Sequence, residues 1–205
     1  MQTGTLIVFS RYPSPGQVKT RLIPALGPAG AADLMRRLIA HTLQQAQDFA
    51  TVHNITLIVY YDGSSTSQMQ ALFGQHLRYR PQASGDLGTR LLTALTDTLA
   101  GRRQPVVIIG SDCPDLRAAI LSEAFARLQD HDLVLGPARD GGYYLIGLKD
   151  RHPALFQQIP WGTAQVLSLT LQRADQLGLR TALLPTLRDI DRPTDLPFLP
   201  PSLHP

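Results

Sequence analysis

Residues able to do chemistry gather in this 205-residue chain at the ends of apolar runs. Gly110-Ser111-Asp112-Cys113-Pro114 closes the run Val106 to Ile109, which carries no alternating polar residue. Such a run reads as a strand buried on both faces of a parallel sheet covered by helices. Pro114 cannot continue a central strand, so Asp112 arrives at the carboxyl edge, where open α/β sheets bind their ligands. A carboxylate there suits a metal ion or a catalytic role. The alternative is a turn aspartate capping a helix that begins near Asp115 or Leu116.

A second cluster follows the first apolar run, residues 5 to 9. Ser10-Arg11-Tyr12-Pro13-Ser14-Pro15-Gly16-Gln17-Val18-Lys19-Thr20-Arg21-Leu22 carries three cations on a loop stiffened by two prolines. Arginine forks match phosphate oxygens in pairs and lysine acts as a point charge, so the loop reads as a phosphate cradle. Gln17 and Val18 stand where a P-loop needs glycine before its lysine, which excludes that motif. Only two lysines, Lys19 and Lys149, occur among nineteen basic residues, which makes Lys19 more informative than a lysine usually is.

A third stretch, Ser84-Gly85-Asp86-Leu87-Gly88-Thr89-Arg90, opens a helix with Leu87, Leu91, Leu95 and Leu99 at helical spacing. Its free backbone N–H groups suit an anion or a ribose hydroxyl, though a plain capped helix gives the same pattern. Further on, Gly141-Gly142 makes a close turn with Asp140 at its lip, and Tyr143 and Tyr144 begin the next strand. Those tyrosines either wall a pocket or pack with a wet hydroxyl.

The elements that must position these residues alternate strand and helix. Strands are expected at 5–9, 55–61, 77–79, 106–109, 132–135, 143–148 and 181–184. Helices are expected at 28–49, 69–73, 87–99 and 116–129, with another that Thr163 caps and that runs to about Leu177. No repeat or linker divides the chain, so we expect one α/β domain over residues 1–199 and a proline-rich tail over 200–205. Hydrophobic content of 43% with 17% charged residues is globular. No apolar run approaches the roughly 20 residues that span a bilayer, and nothing marks export, so no membrane is expected. The single cysteine excludes an internal disulfide and fits a reducing cytoplasm; Cys113 reads as a packing residue. The formal charge of +3 is scattered and lacks interleaved aromatics, which argues against nucleic acid and for a polyanionic small substrate. His41 and His53 read as structural.

Four segments taken together, residues 9–22, 85–90, 110–114 with 140–147, and 189–196, resemble the bacterial DUF2064 transferases. That family is described as GT-A-type glycosyltransferases in the nucleotide-diphospho-sugar transferase superfamily, associated with radical-SAM and selenodomain genes and in part with arsenosugar biosynthesis. The resemblance spans nearly the whole chain. It implies a single GT-A (Rossmann-like) domain with a mainly parallel sheet, and a nucleotide-sugar or NTP and a small-molecule acceptor as partners. It leaves room for a homo-oligomer. It puts Arg11, Gly16, Lys19 and Arg21 at the donor phosphates, with Lys19 taking up charge in catalysis. Asp86, Gly88, Arg90 and Ser111 would complete the nucleotide site. Asp112 and Asp191 would hold Mg²⁺ or Mn²⁺, while Asp140, as base, with Tyr143 and Trp161 would face the acceptor. Arg11 stands where the family usually has lysine and Thr194 where it has glutamate. The function implied is metal-dependent glycosyl transfer; nucleotidyl transfer to a phosphorylated or acidic acceptor, and nucleotide-sugar binding without catalysis, are the alternatives.

Overall fold

The computed structural model describes residues 4–204; residues 1–3 and Pro205, the last residue of the expected tail, lie outside it. Seven strands form one sheet: β1 (Thr5–Arg11), β2 (Thr56–Asp62), β3 (Arg78–Pro81), β4 (Val106–Ile109), β5 (Leu133–Pro137), β6 (Tyr143–Leu148) and β7 (Thr181–Leu183). Their order is β3-β2-β1-β4-β6-β5-β7. β6 alone runs antiparallel to its neighbours, because it returns from β5 through the turn at Asp140–Gly142 and inserts beside β4. The expected neighbours β2, β1 and β4 lie side by side and parallel.

Alternation along β1 explains why both faces need helices. Leu6 and Val8 enter one core with Met35, Ile39, Phe49, Met69 and Phe125. Ile7 enters the other with Leu91, Leu95, Phe156 and Ala174. Thus α1 (Ile23–His53), α2 (Thr66–Phe73) and α4 (Ala118–Asp130) cover one face. α3 (Leu87–Leu99) and α5 (Val166–Gln176) cover the other. All four residues of β4 are buried, as its unbroken apolar run requires.

Several boundaries differ from expectation for local reasons. α1 is bent at Gly27, whose φ of +70° precedes Pro28, and its long limb continues past Phe49 to a left-handed cap at Asn54. α4 starts at Ala118 rather than near residue 116, because Leu116 N first closes a turn onto Cys113 O at 3.1 Å. Asp112 therefore caps no helix. Thr163 does not cap α5 either; its hydroxyl donates to Pro160 O at 2.8 Å, and Gln165 is the N-cap. The proline-rich end forms two short 3₁₀ turns, and Leu199 and Leu203 bury against Leu22, Leu34, Leu38 and Ile190. Among the described residues no helix is long and apolar enough to cross a membrane.

Candidate active site

The carboxyl ends of β1, β2 and β4 open into a cleft of about 510 Å³, within the range of small-molecule sites. On one side the parallel register sets Arg11 opposite Asp62. Asp62 Oδ2 accepts from Arg90 Nη1 at 2.9 Å and lies 3.9 Å from Arg11 Nε. Arg90 also donates to Gly85 O at 2.9 Å. Gln82, just beyond β3, donates to Ser10 O and Tyr60 O at 2.9 and 3.1 Å and so fastens the edges of β1 and β2. Phe9 and Tyr60 stack at 5.8 Å beneath this polar rim.

At the floor, Lys19 draws three distant segments together. Its side chain is only 4% exposed, and Nζ donates to Ile190 O at 2.7 Å. The ammonium stands 2.8 Å from Asp112 Oδ1 and 3.8 Å from Asp191 Oδ1. The contact with Asp112 is an ion pair short of hydrogen-bond geometry, and Oδ1 is buried with no other partner. Arg21 takes the second oxygen of Asp191 at 2.5 Å. Ile190 N closes the knot by donating to Asp112 O at 2.9 Å. Beside it, burial and then the Asp112 charge push the Cys113 thiol well above its ordinary pKa, which leaves it inert and packed. His41 braces the same loop through Pro114 O at 3.0 Å.

The opposite wall comes from the β5–β6 turn and the segment before α5. Asp140 Oδ1 accepts from Gly142 N at 2.8 Å, which fixes the carboxylate at the lip. Tyr143 and Trp161 meet edge to face at 6.2 Å. The Tyr143 hydroxyl is buried and its pKa raised by desolvation, so the ring and not the phenol serves the cleft. Tyr144 packs instead, donating to Pro185 O at 3.0 Å. Asp189 also lines the cleft, its carboxyl pushed up by burial and then by the Asp140 charge.

Of the residues nominated from sequence, Arg11, Arg21, Arg90, Ser111, Asp112, Asp140, Tyr143, Trp161 and Asp191 line this one cleft. Lys19 lies beneath it, out of the lining. Gly16, Asp86 and Gly88 fall outside. Asp86 is the exposed N-cap of α3, accepting from Thr89 N at 2.8 Å. Gly88 is a close-approach glycine: a Cβ there would overlap Phe156 O and come within 2.8 Å of Trp161 Nε1. Asp62, Gln82 and Asp189 were missed. The strand-end rule that selected Asp112 applies equally to Asp62; Gln82 has no local signal, since its role is set by strand pairing. No group of three or more His, Cys, Asp or Glu able to hold a metal occurs among the described residues.

Comparison with known proteins agrees with this architecture. Residues 36–163 match the model of a family described as an uncharacterized protein conserved in bacteria (DUF2064). A crystal structure from Desulfovibrio desulfuricans G20, provisionally named a nucleotide-diphospho-sugar transferase, is 33% identical with a TM-score of 0.86 over 94% of this chain and 84% of that one. The fold extends to glucosyl-3-phosphoglycerate synthase of Mycobacterium tuberculosis, solved with Mn²⁺, uridine diphosphate and phosphoglyceric acid, at 15% identity and TM-score 0.56 over 95% of this chain and 72% of that one. It also extends to a CMP:2-keto-3-deoxy-manno-octonic acid synthetase with CTP, at 13% identity and TM-score 0.59 over 96% of each chain. No curated protein sequence matches the chain.

Proposed function

The chain belongs to the DUF2064 family, and on that premise we propose that it moves a glycosyl group from a nucleotide-diphosphate sugar to a small acceptor held in the same cleft. The observation that carries this is the division of charge in the lining. Every cation of the lining, Arg11, Arg21 and Arg90, comes from the first part of the chain, and the charged lining residues from Gly110 onward are all acids. Arg11 and Arg90 beside Asp62, with Arg21 at the floor beside Asp191, suit a diphosphate, and the wall of Asp140, Tyr143 and Trp161 suits a hydroxyl-bearing acceptor.

Arg90, Asp62 and Gln82 form a linked polar set that would seat the nucleoside. Arg11 and Arg21, whose side chains are 53% and 57% exposed, keep donors free for the diphosphate. They would neutralise the charge that grows as it leaves. Asp140 has one oxygen committed to Gly142 N, and the other would accept the proton of an attacking hydroxyl. The Tyr143 and Trp161 rings would wall the acceptor and keep water from the sugar. Nucleotidyl transfer to a phosphorylated acceptor is less well supported, because the acceptor wall brings no cation to meet a second phosphate.

A divalent ion on Asp112 and Asp191, as the family resemblance implies, does not fit the observed pair. Mg²⁺ can bind through one or two carboxylates with substrate phosphates, so a missing third ligand is no obstacle. The obstacle is that Lys19 faces both acids and Arg21 faces Asp191, which leaves the group without net charge.

Thermal melts with nucleoside diphosphates and the bare nucleosides test the proposal; a ligand at 100 times its Kd stabilises by about 2.7 kcal/mol. Arg21→Ala should weaken diphosphates by roughly ten- to a hundredfold, the scale of a charge-assisted hydrogen bond, and leave nucleosides unchanged. No stabilisation by any nucleotide, or equal weakening of both classes, would overturn it. Turnover of a labelled donor then separates an enzyme from a silent binder.

A further inference from the structure

Two carboxylates at the floor of a cleft that receives a diphosphate need a compensating cation, because three neighbouring anions in a half-buried site repel one another. In this chain the cation is part of the fold. Lys19 Nζ faces three oxygens: it donates to Ile190 O at 2.7 Å and makes ion pairs with Asp112 Oδ1 at 2.8 Å and Asp191 Oδ1 at 3.8 Å. With Arg21 on Asp191, two acids and two bases cancel. A buried lysine is costly unless paired, and here two carboxylates supply the opposite charge.

The ammonium is also held in place from behind. Lys19 adopts φ +46°, a left-handed backbone uncommon for a residue with a Cβ, and its carbonyl accepts from Leu22 N at 2.8 Å. Its neighbour Val18 is buried. Ile190, fully buried, donates its N–H to Asp112 O, so two of the three residues that face the ammonium are themselves tied together.

We infer that Lys19 is the resident cation of this site: it stands between Asp112 and Asp191 in the position a divalent ion would take, so that nucleotide binding does not require a metal. Lys19 is then a positioning residue, acting on the cleft through Asp112 and Asp191 and not by touching phosphate. The nucleotide half of this inference rests on the function proposed above; the cation half does not.

The test uses Mn²⁺ alone, titrated into wild-type protein and Lys19→Met while the free-ion paramagnetic resonance signal is followed. Wild type should show no stoichiometric site. Lys19→Met keeps an apolar stem of similar length and frees the acid pair, so it should bind one Mn²⁺ at least about tenfold more tightly than wild type. A saturable wild-type site as tight as the variant's would overturn the inference, as would a variant that loses stability without gaining Mn²⁺ affinity. Should Lys19→Met fail to fold without metal, recovery on adding Mn²⁺ supports the inference, and the wild-type titration decides it if recovery fails. In a second arm, stabilisation of wild type by nucleoside diphosphates should persist in EDTA at about the same Kd; its abolition would overturn metal independence. If no nucleotide binds while the Mn²⁺ preference holds, the proposed function falls and the resident cation stands.

Discussion

From β1 through α3 the chain lays down three parallel strands and gives the cleft three arginines and one acid, Asp62. From β4 onward it inserts an antiparallel strand and gives Asp112, Asp140, Asp189 and Asp191 with no lysine or arginine. The acids of the two sides are treated differently. Asp62 has two arginine partners from its own side. Asp112 and Asp191 borrow Lys19 and Arg21 from the first part of the chain, at the cleft floor. Asp140 has one backbone partner, and Asp189 is made less acidic by burial and by Asp140. Acids that are paired hold the cleft together, and the two left without a cation are the ones free to meet a substrate.

The largest expected effect falls on that distinction. Asp140→Asn should lower kcat by about a hundredfold or more, the usual contribution of a positioned base, with nucleotide affinity unchanged. If donor binding falls instead, the two walls do not have separate tasks. Next comes the seam between them. Gly88, in the first turn of α3, touches Phe156 and Trp161 of the other side, so Gly88→Ala should cost about 1–3 kcal/mol of stability. Trp161 is the single tryptophan, and its emission should shift in the same variant. An unchanged melting temperature and spectrum would show that the walls are not coupled there.

The smallest effect should have opposite signs on the two sides. Asp189 has a raised pKa in the fold, so its favourable contribution is complete below the unfolded value of 3.8 and is lost as pH rises through the folded one. Asp189→Asn should therefore raise stability at pH 7 by about 1 kcal/mol or less, read as a higher melting temperature, with the gain shrinking as acid is added. Asp62→Asn removes a partner of Arg90 and Arg11 and should lower it by a similar amount. Equal signs at pH 7 would dissolve the comparison.

What could be read in advance follows from how local each signal is. Val106–Ile109 announced a doubly buried strand because four apolar residues in a row have no solvent face. Arg11 and Asp112 announced themselves by standing where such runs end, and Asp140 by the Gly141-Gly142 turn beside it. The place of β6 between β4 and β5 was not legible, since pairing across the sheet leaves no periodic trace. Asp86 and Gly88 looked like ligand groups because a capped helix start and a close packing contact use the same residue types as an anion site. Lys19 was read as a phosphate ligand because sequence reports charge but not burial, and its partners lie 93 and 172 residues further on.

The knot at Ile190 bears on the order in which the chain is made. Ribosomes deliver the first strands long before residues 188–191, and early segments tend to fold as they appear. Lys19 and Asp112 can meet as soon as β4 has emerged, but neither Ile190 O nor Asp191 is yet available to them. A nascent chain halted after β6 would hold the sheet's middle and an unfinished floor beneath the cleft. Completion of the site is thus delayed until nearly all of the described chain has been translated.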